Sequence, residues 1–368
     1  MDYIIFLYFV IYLFYCFKGV CIKQDDLPQL PFNKGVNFTK WFETKSFSDI
    51  NFTKYTEQDF IDVKSLGADV VRLPVRFHDY LLDDEKIIIN KGLLVFLDII
   101  VDWAEKHKIY LILDNHSFHS IDATDEEVDS ILIPVWTQLA KHFKDRSEYL
   151  IYEILNEPHG IDDKLWNKIQ GNTIKAIRKA DKKHFIIVGG TNYNSIEKMT
   201  QLPVYKDSNL IYTFHFYDPH IFTHQGAMWN KPSLEPLSNL PFPLDKKKLP
   251  AIHETFKGTW VEESLNGYSE NSKYTNLSET LNKAYTFSKE RNVPVFCGEF
   301  GVFMLQSPKN SRVKWYRFVC DELGMRNIPW TCWDYFGGFG IFKTQERGKF
   351  PEDLNSYIIK AMGFKKLF

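Results

Sequence analysis

Cysteine is scarce in this chain, five among 368 residues, so no disulfide scaffold holds the fold together. An excess of one charge is also missing: 45 Lys and Arg stand against 47 Asp and Glu, a net charge of −2. That balance supplies no basic field for nucleic acid phosphates or an anionic membrane, so no nucleic acid partner is expected. His-Glu-x-x-His, the Gly-x-Ser-x-Gly elbow and a glycine-rich phosphate loop are all absent. A composition of 44% hydrophobic and 25% charged residues excludes wholesale disorder and collagen-like structure. Aromatic residues are what the chain has in plenty. Phe, Tyr and Trp total 59, more than one core needs, and their amphipathic rings can also build a ligand-binding surface.

The first apolar run, Tyr3 to Phe17, is too short to span a bilayer. Fifteen helical residues reach roughly 22 Å, against about 30 Å of hydrocarbon. Residues 1–22 are therefore expected to be a secretory signal peptide or, alternatively, an uncleaved N-terminal anchor, although Met1-Asp2 supplies no basic n-region. Either form places the protein outside the cytoplasm: secreted, periplasmic or at the cell surface. Cys297, Cys320 and Cys332 lie in apolar runs and are expected to be buried thiols, not ligands or nucleophiles.

From Lys34 onward, short β-rich runs alternate with longer stretches at helical spacing, which favours a parallel sheet with crossover helices. The strands are expected at Gly35–Phe38, Asp69–Pro74, Ile109–Asn115, Leu150–Leu155, Phe185–Val188, Leu210–Phe216, Val293–Gly298 and Pro329–Asp334. Helices are expected near Glu57–Leu66, Lys91–Lys106, Asp125–Phe143, Lys164–Ala180, Ile196–Gln201, Leu277–Arg291, Asn310–Leu323 and Glu352–Met362, with Thr56 and Asn90 as N-caps. Eight strand–helix pairs with no linker between them predict an α/β fold, a single (β/α)8 TIM barrel over 23–368. One stretch breaks the rhythm. Some sixty residues, Tyr217 to Thr275, form a long loop after strand 6, and in this architecture a long βα loop is expected to wall the substrate site.

Catalytic groups of such a barrel stand at the C-terminal ends of its strands. Those ends carry Arg72, His116, Asn156-Glu157-Pro158, His215 with Tyr217, Glu299 and Trp333. Period-two alternation puts Val70 with Arg72, and Ile112 with His116, on a common inward side. The two glutamates, 142 positions apart, are the pair that glycosidic bond cleavage needs. One carboxylic acid protonates the leaving oxygen, while a carboxylate attacks or stabilises the cationic anomeric carbon. Arg72 would favour the charged form of a nearby glutamate, and Tyr217 can donate to the same carboxylate. Trp333 offers a flat face for a pyranose ring.

With these motifs, Leu-Asn156-Glu157-Pro158 and Gly298-Glu299-Phe300-Gly301 above all, the sequence resembles glycoside hydrolase family 5, the cellulase-type retaining barrels. The resemblance runs from Lys34-Gly-Val-Asn-Phe to Trp333-Asp-Tyr. It implies Glu157 as general acid/base and Glu299 as nucleophile. It also implies Arg72 and Tyr217 orienting Glu299, His215 near Glu157, and His116, Asn156 and Trp333 around the sugar in subsite −1. Trp41, Phe118, His119 and Trp229 are candidates for outer subsites. The expected activity is a retaining endo-β-glycanase, foremost an endo-β-1,4-glucanase acting on a β-glucan polysaccharide or oligosaccharide. The alternatives are a β-mannanase, a xyloglucanase, a β-1,3-glucanase, or a non-catalytic glycan-binding barrel. No cofactor, metal or protein partner is called for.

Overall fold

The computed structural model describes residues 27–365 apart from 84, 118–122, 246 and 248. The expected signal or anchor segment, 1–22, lies outside the described residues. Eight parallel strands close into one barrel: β1 (Lys34–Asn37), β2 (Val70–Val75), β3 (Tyr110–Asn115), β4 (Leu150–Glu153), β5 (Phe185–Gly189), β6 (Leu210–Phe216), β7 (Val295–Phe300) and β8 (Trp330–Cys332). Each pairs with its neighbours in sequence, and β8 returns to β1. The strands are apolar in unbroken runs because both faces are covered, one by the barrel interior and one by helices.

Those two faces have separate cores. Val70, Ile112, Ile151, Ile187, Ile211 and Phe296 meet inside the barrel, and Phe32 plugs its N-terminal end. This β-branched layer is the floor under the site. Outside, the helices press an apolar stripe onto the sheet. Helix α2 (Lys91–His107) does so with Leu93, Leu97, Ile100, Val101 and Ala104, at three- and four-residue steps. Gly35 is required where β1 and β2 close up, because a Cβ there would stand 1.7 Å from the Val70 carbonyl oxygen.

The other α-helices of five residues or more, among the described residues, are α1 (Glu57–Ser65), α3 (Asp129–Phe143), α4 (Asp163–Ala180), α5 (Ile196–Thr200), α6 (Trp260–Asn271), α7 (Tyr274–Arg291), α8 (Lys309–Met325) and α9 (Ser356–Ala361). Asn90 caps α2 as expected, its side-chain oxygen accepting from the Gly92 N–H at 2.8 Å. Thr56 caps α1 differently. Its backbone N–H and its hydroxyl both donate to Asp59, at 2.7 and 3.2 Å.

Several expectations need correction. Strand β4 stops at Glu153, not Leu155, and β8 at Cys332, not Asp334. Strand β7 runs Val295–Phe300, not Val293–Gly298, and helix α9 begins at Ser356, not Glu352. Helix α3 begins at Asp129, not Asp125. A two-stranded hairpin, Leu81–Asp83 with Ile88–Ile89, was not anticipated. The long segment after β6 is no continuous loop, since it contains α6, whose Leu265 and Tyr268 are buried. Among the described residues, no helix is long and apolar enough to cross a membrane.

Candidate active site

Arg72 rises one alternation above Val70 on β2 and is fully buried. Its Nη1 donates to Glu299 Oε1 at 2.8 Å and to Asn37 Oδ1 at 3.0 Å. Its Nε and Nη2 take both oxygens of Glu153, at 2.7 and 2.9 Å. Nη2 also reaches Asp114 Oδ2 at 3.0 Å and Asn156 Oδ1 at 2.9 Å. Burial works against the guanidinium charge, but Asp114, Glu153 and Glu299 outweigh it and hold the proton on.

A bulge aims Glu299. Phe214 pairs with Cys297 and His215 with Glu299, leaving Gly298 as the extra residue on β7. Strict alternation from inward Phe296 would turn Glu299 out of the barrel; the inserted residue turns it in. Gly298 is also what fits, since a Cβ would lie 3.0 Å from Thr213 Oγ1 and 3.1 Å from His215 Nε2. Tyr217 completes the cradle, its hydroxyl donating to Glu299 Oε2 at 2.9 Å. Burial, then Glu299 and Glu157, raises the Tyr217 phenol well above its usual range, so it stays a donor.

Glu157 follows the end of β4 with a left-handed backbone, φ 45°. Burial lifts its carboxyl to about 7, against the pull of His116, Arg72 and His159. His215 Nδ1 stands 2.7 Å from Glu157 Oε1 and 3.6 Å from Glu299 Oε2, and burial lowers this imidazole to about 4. One oxygen of each glutamate and a His215 nitrogen lie within 4.8 Å of one another. That spacing would also suit a metal ion. Arg72 and Tyr217 each donate to one oxygen of Glu299 and leave lone pairs of both oxygens facing the cleft.

His116 Nδ1 bonds Asp114 Oδ2 at 2.7 Å, and its Nε2 faces the Asn156 amide at 3.5 Å. Burial opposes its charge, but Asp114 wins and raises the imidazole to about 9. Trp333 stacks on His116, ring centroids 5.5 Å apart at 14°. Across the mouth, Tyr193 stacks on His159 beside Glu157, centroids 4.3 Å apart.

All eight expected central residues, Arg72, His116, Asn156, Glu157, His215, Tyr217, Glu299 and Trp333, therefore stand at one mouth of the barrel. The outer candidates fare differently. Trp41 is no subsite: it is fully buried among Phe42, Tyr55 and Phe96, packing the β1 loop onto α2. Phe118 and His119 lie outside the described residues. Trp229 is 42% exposed on the strand-6 segment, edge-on to Phe303, and remains available to a ligand. The three cysteines are buried thiols, and burial pushes each well above the usual thiol range. Asn37, Asp114 and Glu153 were missed. Asp114 lies midway between inward Ile112 and His116, and Glu153 two residues after inward Ile151, so the alternation already pointed to both.

Paired carboxylates held in different environments beside an aromatic platform, at the C-terminal mouth of a (β/α)8 barrel, define a glycoside hydrolase. The chain belongs to the cellulase family, glycosyl hydrolase family 5, whose model matches residues 32–337. Endoglucanase 3 of Fibrobacter succinogenes is 32% identical over 360 residues, covering 90% of this chain and 52% of that protein. The chain thus spans about half the length of that relative. Endoglucanase C of Acetivibrio thermocellus is 28% identical over 316 residues, covering 83% of this chain and 91% of that protein. Among solved structures, endoglucanase Cel5A from Thermotoga maritima superposes with a TM-score of 0.74 at 26% identity, covering 90% of this chain and 96% of that one. That protein has also been solved with mannotriose and with cellobiose.

Proposed function

We propose that the protein is an endo-acting β-1,4-glucanase working by double displacement, with Glu299 as nucleophile and Glu157 as general acid and then base. The observation that carries this reading is the gap between the two carboxylates. At 4.8 Å or less it matches the roughly 5 Å of retaining enzymes and leaves no room for the water that inverting pairs need at about 6.5–9.5 Å. In the first step Glu299 attacks the anomeric carbon while protonated Glu157 gives its proton to the departing oxygen. In the second, Glu157 takes a proton from water, and the oxygen of that water displaces Glu299 from the sugar. Asn156 and His116 are donors for the hydroxyls of the ring in subsite −1, and Trp333 is its platform.

The choice of β-1,4-glucan is supported by the relatives named endoglucanase, and endo action by Trp229 on the open rim. Mannan is the second reading, because a similar barrel has been solved with mannotriose. A polymer this large does not cross a membrane, which fits the apolar N-terminus and action outside the cytoplasm. The test is a panel of carboxymethyl cellulose, mixed-linkage glucan, xyloglucan, β-1,3-glucan and galactomannan, read by reducing ends and viscosity. We expect the fastest release from β-1,4-glucan, with viscosity falling before much sugar appears. Proton NMR of cellotetraose hydrolysis should show the β-anomer first. An α-anomer first, or no release from any β-glucan, would overturn the proposal.

A further inference from the structure

Beneath the cleft, three carboxylates share one guanidinium, and only one of them faces the sugar. Glu153 holds the bidentate edge of Arg72 at 2.7 and 2.9 Å, Asp114 takes Nη2 at 3.0 Å, and Glu299 receives a single Nη1 bond at 2.8 Å. Arg72, Asp114 and Glu153 are all buried from solvent. A bidentate arginine–carboxylate pair is the strongest pairing open to a guanidinium, and Glu153 has it instead of the nucleophile.

This division has a chemical consequence, given the double-displacement reading above. Attack moves negative charge from Glu299 onto the anomeric carbon. A cation that neutralised Glu299 in the ground state would be partly lost in the transition state and would raise the barrier. We propose that Glu153 is a positioning residue for this reaction: it anchors Arg72 and absorbs its charge, so that Glu299 is oriented by the guanidinium without being neutralised by it. Burial raises the Glu153 carboxyl above its usual range, and Arg72 pulls the other way by donating to both of its oxygens.

The groups facing Glu299 are Arg72 from β2, His215 and Tyr217 from β6 and its end, Glu157 after β4, and His116 beyond β3. Those facing Glu153 are Arg72, Asp114 and His215. Glu153 alone binds the arginine at two points without touching the cleft, so it can be changed without touching the substrate.

The test is E153Q, which keeps shape and one acceptor but removes the charge. The guanidinium then falls more heavily on Glu299. We expect kcat/KM on cellotetraose to drop about tenfold or more. The acidic limb of the kcat/KM profile should move down by about one pH unit. With 2,4-dinitrophenyl cellobioside, which needs no acid, formation of the glycosyl-enzyme should slow as well. E153D retains the charge at a shorter reach and should show a smaller shift of the same sign, which carries the test if E153Q does not fold. Loss of activity and of thermal stability with the limb unmoved in both variants would make Glu153 merely structural and overturn the inference. Trapping with a 2-deoxy-2-fluoro cellobioside separates the two claims. A label on any residue other than Glu299 sinks the functional reading, whereas a label on Glu299 with an unmoved limb sinks only this inference.

Discussion

The pH dependence of turnover and of stability should be tied to one side chain. Glu157 must be protonated to assist the leaving group, and burial places its carboxyl at about 7. About 90% of the molecules carry that proton at pH 6 and about 9% at pH 8, so kcat/KM on cellotetraose should fall about tenfold between them. E157Q removes the acid altogether. Its rate should be about 10²–10⁴-fold lower at pH 6, with no alkaline limb. Stability should fall with rising pH as well. The folded value lies above the ordinary carboxyl value of 4.5, so the native state binds the extra proton and loses stability as pH rises from there through about 7. The full penalty, near 2.5 units, is about 3 kcal/mol at pH 8, and E157Q escapes it. Urea melts at pH 5 and pH 8 should show the variant gaining on the wild type only at the higher pH. An alkaline limb that survives in E157Q, or equal stabilities at pH 8, would refute the assignment of that proton to Glu157.

Other substitutions test the remaining parts. E299A should lose roughly 10⁴-fold or more in turnover, and azide should restore reaction with the α-glycosyl azide as product; appreciable hydrolysis without azide would remove Glu299 from its role. W333A strips the platform from subsite −1 and should cost about 2 kcal/mol, or some thirtyfold in kcat/KM, with unchanged thermal stability. A drop in thermal stability that accompanies the loss of activity would speak for a packing role. G35A forces a Cβ to within 1.7 Å of the Val70 carbonyl unless β1 and β2 part. The melt should show a loss near the top of the roughly 1–3 kcal/mol range for overpacking.

The barrel was legible in the sequence because buried parallel strands are nearly continuous apolar runs, and eight of them recur between amphipathic helices. The central site was legible because its members fall at strand ends. What escaped had four causes. Trp41 was assigned to the cleft because aromatic residues in βα loops suit sugars, but pattern alone does not tell which way a ring faces, and this one packs inward on Phe96. Asp114 and Glu153 escaped because they lie below the strand tips, two residues before His116 and four before Glu157. The bulge at Gly298 escaped because period two carries no signal of an inserted residue, although glycine next to a catalytic position is where one belongs. The helix inside the strand-6 segment follows a stretch crowded with Pro, Asn and Lys, which masks its spacing.

The closeness of the two acids explains how one residue can serve as acid and then as base. Glu157 needs its proton for the first step and must be ready to accept one in the second. While Glu299 is charged, it repels a second anion held within 4.8 Å of it. Forming the ester removes that charge, and the barrier to ionising Glu157 falls without any group moving. His215 is neutral at the working pH and hydrogen-bonded to Glu157, so it does not cancel the change. Arg72 remains bound to Glu153 and Asp114 throughout and so does not follow the lost charge. A wider gap would weaken this coupling in proportion, so the spacing that admits direct attack on the sugar also times the transfer of the proton.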